Sequence, residues 1–394
     1  MNEKQIRDIE DNVVAQTFAK RDLVITRGKG ATIWDINGNE YLDCTSSYGV
    51  SVVGHCHPKV VEAIQKQSEK LIACHASFYN DTRSELLKKI IGIAPKGLDR
   101  VFLSNSGAES VECAIKLARK HSGKPEIIAM MGAFHGKTMG ALSATWKKKY
   151  REPFMPLVPG FKHVPPNNLE KIEATITDKT AAVLVEPVRG EGGILPPTDD
   201  FLPGLRELCD KKGVLLIFDE VQTGFGRTGK NFACEHWNII PDILCSAKSI
   251  AGGLPMGATF AKEEVMSSFQ RGEHSSTFSG NPLVCAAASA AIDVLIEEKL
   301  PEKAATNGAY FKSKLNALAE KYNIVREVRG LGLMLGMEMR FDVYNIIVGC
   351  MERGILVLDA GRNVVRFLPP LIISREQIDR VVETLDAVME QENK

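Results

Sequence analysis

The 394-residue sequence has no excess of either charge: 49 Lys and Arg residues balance 49 Asp and Glu. Polyanion-binding chains lean basic, so composition gives no reason to expect a nucleic-acid partner or an anionic membrane. No apolar run is long enough to span a bilayer. The charged opening MNEKQIRDIEDNVV lacks the apolar core of a secretion signal. The nine cysteines include no CxxC pair, and their number is odd. In a chain this large they read as buried, reduced thiols, which points to the cytoplasm. His55 and His57 lie close together, but no second cluster completes a metal site, so turn or site-edge roles suit them and no metal is expected. Tandem repeats and low-complexity linkers are absent as well.

What is present is a globular mix, 44% apolar and 25% charged, in a chain whose length suits two closely associated domains. Residues 23–44 read as two or three short strands with a turn at Asn37-Gly38. Pro58 opens a helix through VVEAIQKQSEKL, where its missing N–H has no partner to lose. VFLSN is a buried strand, followed by a helix from Glu109 to about Lys120. EIIAMM, AAVLVEP, VLLIFDE and DILCSAK are further short apolar runs, with helical stretches such as FLPGLRELCDKK between some of them. Strands apolar on both faces suit a mostly parallel sheet covered by helices, an α/β architecture. After about residue 280 the pattern shifts. NPLVCAAASAAIDVLIEEKL reads as one long helix; REVRG-LGLMLGMEM, ILVLDA and VVRFLPPL read as strands; REQIDRVVETLDAVMEQ is a closing helix. The expected organisation is an N-terminal segment 1–45 joining the small domain, a large domain 46–280 and a smaller α+β domain 281–394.

Three features fall at strand ends. In Ser104-Asn105-Ser106-Gly107-Ala108-Glu109 a strand gives way to a small-residue turn and a helix. Free N–H groups and the helix dipole make such a turn an anion site suited to a phosphate, although a plain helix cap reads the same way. Asp219 follows the buried run Val214–Phe218, at the strand end where α/β proteins bind ligands. A carboxylate buried there needs a partner. A protonated pyridinium nitrogen would serve, and so would an ordinary cap or structural ion pair. Lys248 ends the run Ile243–Ala247 and faces the glycine-bearing stretch Ser249–Gly253. Desolvation there leaves a nucleophilic amine, whereas a lone lysine otherwise reads as a solvated surface residue.

A rival pattern is Gly224-Phe225-Gly226-Arg227-Thr228-Gly229-Lys230, which fits the glycine–lysine part of a phosphate-loop nucleotide hydrolase. Asn231 stands where a magnesium-holding Ser or Thr belongs, and FACEHWNIIPDIL offers no clear helix after it. Gly330-Leu331-Gly332 opens like a dinucleotide fingerprint but runs into a strand.

Taken together, NSGAESVE, GAFHGKTMGALS, VEPVRGEGG, LLIFDEVQTGFGRTGK, PDILCSAKSIAGGLPMGA and STFSGNP resemble, in order and over nearly the whole chain, the class III aminotransferases of the fold-type-I pyridoxal-phosphate enzymes. The resemblance implies pyridoxal 5'-phosphate as cofactor. Lys248 matches the lysine that holds it as a Schiff base, and Asp219 the partner of the pyridinium nitrogen. Ser106, Gly107 and Ala108 match the phosphate turn; Phe134 the aromatic on the ring face, with His135 a further cofactor-side residue; and Gln222 the residue near the ring hydroxyl. Thr277 matches a threonine that reaches the phosphate of a neighbouring subunit, which implies a homodimer with shared sites. DEVQTGFGRTGK is then a family signature rather than a nucleotide loop.

On the substrate side, Glu191 and Arg366 match a switching pair. Arg366 would clasp the α-carboxylate of glutamate, and Glu191 would neutralise it while an ω-amine substrate is bound. Tyr48 and Glu186 are further substrate-side candidates. Lys137 stands where the family often has an arginine, keeping charge but losing two-pronged geometry. KYREPFMPLV, REVRGLGLM and VVRFLPP are similar to the acetylornithine-type branch, including the lysine and arginine biosynthesis enzymes whose substrate rides on a small acidic amino-group carrier protein. Ala108 departs from that branch and resembles 4-aminobutyrate aminotransferases instead. The expected reaction is ping-pong transfer of an ω-amino group between an acetylornithine-like or carrier-linked lysine or ornithine substrate and 2-oxoglutarate/glutamate. A 4-aminobutyrate aminotransferase, a pyridoxal-phosphate racemase or decarboxylase, a nucleotide hydrolase and a non-catalytic partner protein are the alternatives.

Overall fold

A computed structural model describes residues 1–392. Its centre is a seven-stranded sheet whose order in space is Arg100–Ser104, Gly257–Ala261, Ile243–Ser246, Leu215–Asp219, Thr180–Val185, Glu126–Met130 and Phe161–Val164. Gly257–Ala261 is antiparallel to both neighbours, and the remaining pairs are parallel. The fold is α/β. Thr180–Val185 is buried at all six positions because helices cover both faces of the sheet, which is why the strand carries no polar alternation.

The helix after the first of these strands, Gly107–Ser122, shows how local sequence sets boundaries. Ser106 caps it by accepting from the Glu109 N–H, Glu109 lies in its first turn, Arg119, Lys120 and His121 lie in its last, and Gly123 closes it. Caps and charges thus satisfy both ends of the helix dipole. Its buried face, Val111, Ala114, Ile115 and Ala118, packs on the sheet with Leu117. Leu117 is fully buried, and burying such a side chain contributes about 1.5–3 kcal/mol.

The early hairpins form as expected: Ile25–Lys29, Thr32–Asp35 and Glu40–Asp43, with the Asp35 side chain accepting from the Asn37 and Asn39 N–H groups across the turn. The helix from Pro58 runs to Lys70. Three readings change. The long helix ends at Glu297, Lys299 turns left-handed at φ 51°, and a second helix, Leu300–Lys321, begins with Pro301 in its first turn. The run ILVLDA is not one strand: Ile355–Leu356 pairs in parallel with Leu42–Asp43, whereas Leu358–Asp359 joins Val364–Phe367 in another sheet. The chain crosses between two sheets at Val357, which apolarity alone does not reveal. Two of the nine cysteines are not buried, since Cys56 is exposed and Cys74 is half-buried.

The third sheet, in the order Val325–Leu331, Met334–Met339, Val364–Phe367 and Leu358–Asp359, carries Arg366 opposite Gly336. Arg227 ties it to the central region by donating to the carbonyls of Leu333 and Pro369. Among the described residues no helix is long and apolar enough to cross a membrane.

Candidate active site

The parallel strands end along one edge of the central sheet, so the residues that follow them converge. Ser106, Phe134, Glu186, Asp219 and Lys248 come just past Ser104, Met130, Val185, Phe218 and Ser246. All but Ser106 line a cavity of about 240 Å³, together with Gly107, Ala108, His135, Glu191 and Gln222. An adjoining cavity of about 260 Å³ shares Gly107 and Lys248 and reaches Asn105 and Ser106.

Gly107 and Ala108 open a helix, so their first-turn N–H groups have no helical acceptor and can hold an anion. Gly107 is required sterically: a Cβ there would lie 2.8 Å from Val221 Cγ1. On the opposite strand end, Asp219 is 5% exposed. It accepts from the Val221 N–H at 3.0 Å, and its Oδ2 lies 2.7 Å from His135 Nδ1. Burial works to lower the His135 pKa, but the bond and charge of Asp219 outweigh it and raise it. The partner that the buried Asp219 requires is thus supplied in part by His135, a contact that sequence spacing does not show. His135 is itself fixed through its N–H on Thr145 Oγ1 at 3.0 Å.

Lys248 sits at φ 46°, a left-handed conformation that a non-glycine residue holds only under constraint. Burial, together with the nearby Arg366 charge, brings its amine down to about 8, against the pull of Glu191, Asp219 and Glu186. Glu186 accepts from the Phe134 and Gly190 N–H groups, both at 3.1 Å. Its carboxyl is pushed up to about 7, chiefly by burial.

Arg366, 1% exposed, donates from Nη1 to Glu191 Oε1 at 2.6 Å. Burial tends to raise the Glu191 pKa, and the arginine's charge and bond reverse this to a net lowering. Tyr48 lies beneath the guanidinium at 5.5 Å. At the mouth, the Lys137 and Lys149 ammoniums lie 5.1 and 5.0 Å from the Tyr150 ring, whose edge meets Phe134 at 6.0 Å. Lys147 donates to the Glu191 carbonyl at 3.1 Å. Sequence reading passes over Lys147 because nothing in KKKYR marks one lysine above its neighbours. Gly136 and Val221 also line the cavity, inside motifs but with no chemistry of their own to draw notice. Thr277 is exposed and lines neither of these cavities.

The sequence profile described as Aminotransferase class-III matches residues 14–389. The chain belongs to the class-III aminotransferases. Relatives of this aminotransferase include the acetylornithine aminotransferase of Methanocaldococcus jannaschii, 48% identical over 394 residues and covering 98% of each chain. The LysW-aminoadipate semialdehyde transaminase of Deinococcus radiodurans is 46% identical, with coverage of 95% of this chain and 88% of the other. Among solved structures, the ornithine aminotransferase of Toxoplasma gondii, described with pyridoxal phosphate at its active site, aligns with a TM-score of 0.95 at 36% identity over 100% of this chain and 96% of that one. The acetylornithine aminotransferase of Elizabethkingia anophelis aligns with a TM-score of 0.88 at 36% identity, over 99% and 100%.

This aminotransferase is pyridoxal-phosphate dependent, and the donor set fits that cofactor. The cavity offers an anion-binding turn, a buried carboxylate for a cationic ring nitrogen, an aromatic wall and an amine. Among the described residues Gln222 Oε1 and His135 Nε2 are buried without a partner, as expected of groups that face a polar ligand. Gly190 makes room for the first of them: a Cβ there would lie 2.2 Å from Gln222 Oε1. The nucleotide-loop reading fails, because Gly224–Lys230 leads into a 3-10 turn, Ala233–Trp237, and its Arg227 is fully buried. Among the described residues no cluster of three or more metal-binding side chains occurs. His55 and His57 bond Asp43 and Glu298 instead.

Proposed function

We propose that this aminotransferase moves the ω-amino group of an acylated basic amino acid, acetylornithine or a carrier-linked lysine or ornithine, to 2-oxoglutarate, with glutamate as donor in the reverse direction. The observation that carries the reading is the Glu191–Arg366 pair. A single anionic substrate would be served by a permanently free arginine. An arginine already paired with a cavity-lining carboxylate suits a site that must accept two unlike substrates. With the ω-amine substrate bound, Arg366 stays on Glu191. With glutamate or 2-oxoglutarate it turns to the α-carboxylate, which its planar guanidinium grips with two bonds. The names of the relatives support the same substrate class.

Bound pyridoxal phosphate supplies the electron sink for the carbon that loses its proton. The chain's own groups do the rest. Ser106, Gly107 and Ala108 hold the phosphate, and Gln222 meets the ring hydroxyl. Asp219, oriented by His135 and the Val221 N–H, would hold a proton on the ring nitrogen. Phe134 covers the ring face and excludes water. Lys248 anchors the cofactor; once free, its Nζ, low enough in pKa to be partly neutral, takes the proton from the amine-bearing carbon as general base and returns one as acid. Glu186 ties Phe134 to the Gly190–Glu191 turn.

The cations at the mouth, Lys137, Lys147 and Lys149, suit a substrate that carries further carboxylates, including one attached to a small acidic carrier protein. Their contacts use the Tyr150 ring and the Glu191 carbonyl rather than carboxylates. The working unit is a homodimer in the cytoplasm. Thr277 lies beside Phe278, and Phe278, Phe78 and Tyr79 are large exposed rings that a subunit contact would cover. The three-part division at residues 45 and 280 is supported by the separate sheets and by the pairing of Leu42–Asp43 with Ile355–Leu356. The test is a panel of amino donors with 2-oxoglutarate: acetylornithine, 4-aminobutyrate, free lysine and a carrier-linked lysine. Preference for acylated or carrier-linked donors supports the reading. Preference for 4-aminobutyrate, or racemisation without transfer, refutes it.

A further inference from the structure

Four consecutive residues, Ser46, Ser47, Tyr48 and Gly49, hold φ angles of 45°, 51°, 62° and 90°. L side chains avoid this region because Cβ crowds the carbonyl, so three non-glycine residues in a row need support from outside the turn. Asp43, 1% exposed, supplies it. Its Oδ1 accepts from the Thr45 N–H at 2.8 Å, the Thr45 hydroxyl at 2.6 Å and the Ser46 N–H at 3.1 Å. Its Oδ2 lies 2.7 Å from His55 Nε2.

His55 is fixed in turn. Its backbone exchanges two hydrogen bonds with Gly30, and its side chain fits against Gly28, where a Cβ would lie 2.9 Å from His55 Cβ. On the far side, the turn meets the site twice. The Gly49 carbonyl accepts from the hydroxyl of Ser249, next to Lys248, at 3.0 Å. The Tyr48 ring lies under the Arg366 guanidinium at 5.5 Å.

We infer that Asp43 and His55 are positioning residues for the carboxylate clamp: they hold the Ser46–Gly49 turn in its left-handed form and so keep Tyr48 against Arg366. The inference rests on the reading of Arg366 given above. When Arg366 leaves Glu191 for an α-carboxylate, the ring of Tyr48 is the contact that still aims it. A turn relaxed to negative φ carries that ring away and weakens cation–π support. The loss falls on the glutamate and 2-oxoglutarate side. With an ω-amine substrate Arg366 remains on Glu191, and the turn matters less. A generally weakened fold would harm both sides alike.

The experiment uses holoenzyme in single-turnover half-reactions, one with glutamate and one with an ω-amine donor. Asp43→Asn is expected to raise the half-saturating glutamate concentration about tenfold. The ω-amine value is expected to stay within about twofold and the cofactor to stay attached to Lys248. His55→Phe should behave like Asp43→Asn, and His55→Gln, which keeps a donor, should remain near the parent. Adding Ser47→Gly to Asp43→Asn should recover part of the glutamate value, since glycine takes the left-handed form without steric cost. Equal loss in both half-reactions, or an unchanged glutamate value in both Asp43→Asn and His55→Phe, overturns the inference. Arg366→Gln separates the two claims. If it leaves glutamate saturation unchanged, the clamp reading itself fails; if it raises it while the Asp43 and His55 variants do not, only the positioning role fails.

Discussion

Glu191 Oε1 and Arg366 Nη1 meet at 2.6 Å, and Arg366 Nε is buried beside them with no acceptor among the described residues. The arginine is therefore held by one bond while a second donor waits. That asymmetry suits a group that changes partners. Removing either member should affect the two half-reactions differently.

Glu191→Ala leaves Arg366 unneutralised, which penalises the substrate that does not use it. Truncating one partner of a buried charge pair costs about 2–5 kcal/mol. The ω-amine half-reaction should lose roughly thirtyfold or more in kcat/KM, and the glutamate half-reaction less. Stopped-flow half-reactions measure both; equal loss counts against a switch.

Arg366→Lys keeps the charge but not the fork. Glutamate and 2-oxoglutarate should bind about tenfold more weakly, because the paired donors that match a carboxylate are gone. The ω-amine substrate should respond less. Steady-state KM values for both substrates check this.

Lys248 titrates low, at about 8, through burial and the Arg366 charge. At pH 7 about a tenth of the apoprotein's Lys248 is neutral, against far less than a hundredth of an ordinary lysine. An amine-selective reagent should therefore modify Lys248 of the apoprotein first, with a rate that rises with pH about a midpoint near 8. Peptide mapping across pH gives the profile. A midpoint near 10.5 would show the amine to be unperturbed.

Gly107→Ala places a Cβ 2.8 Å from Val221 Cγ1, so the turn that opens the helix must shift. A shift of that kind strains or moves the turn, at a cost of about 1–3 kcal/mol, so cofactor affinity should fall roughly ten- to a hundredfold. Val221→Ala in the same chain should recover much of it. Cofactor titration of the apoprotein, followed by absorbance, reads both variants.

Much of this site is legible in the sequence alone. Asp219 and Lys248 end apolar runs, and Ser106–Ala108 opens a helix after another, so the periodicity that builds a parallel sheet also delivers its ligand edge. The Glu191–Arg366 pair spans 175 residues and is legible only through motif resemblance; apart from it, both are ordinary surface charges in the sequence. Contacts between loops stay hidden. Nothing in FHGK announces that His135 pairs with Asp219, since 84 residues separate them and the bond depends on where two strands end. The split of ILVLDA between two sheets escapes for a similar reason, because both halves are apolar and only pairing partners distinguish them. The left-handed turn at Ser46–Tyr48 is less legible still: it contradicts the preference of its own residues and depends on Asp43 and His55.

The account turns on Lys248 as the cofactor's anchor. Borohydride reduction of the holoenzyme fixes the cofactor to whichever lysine holds it, and peptide mass mapping then locates it. The predicted result is a single modified peptide carrying the cofactor's mass on Lys248, with none after reduction of a Lys248→Ala variant. The cofactor's mass on any other lysine, or undiminished labelling of the Lys248→Ala chain, would contradict it.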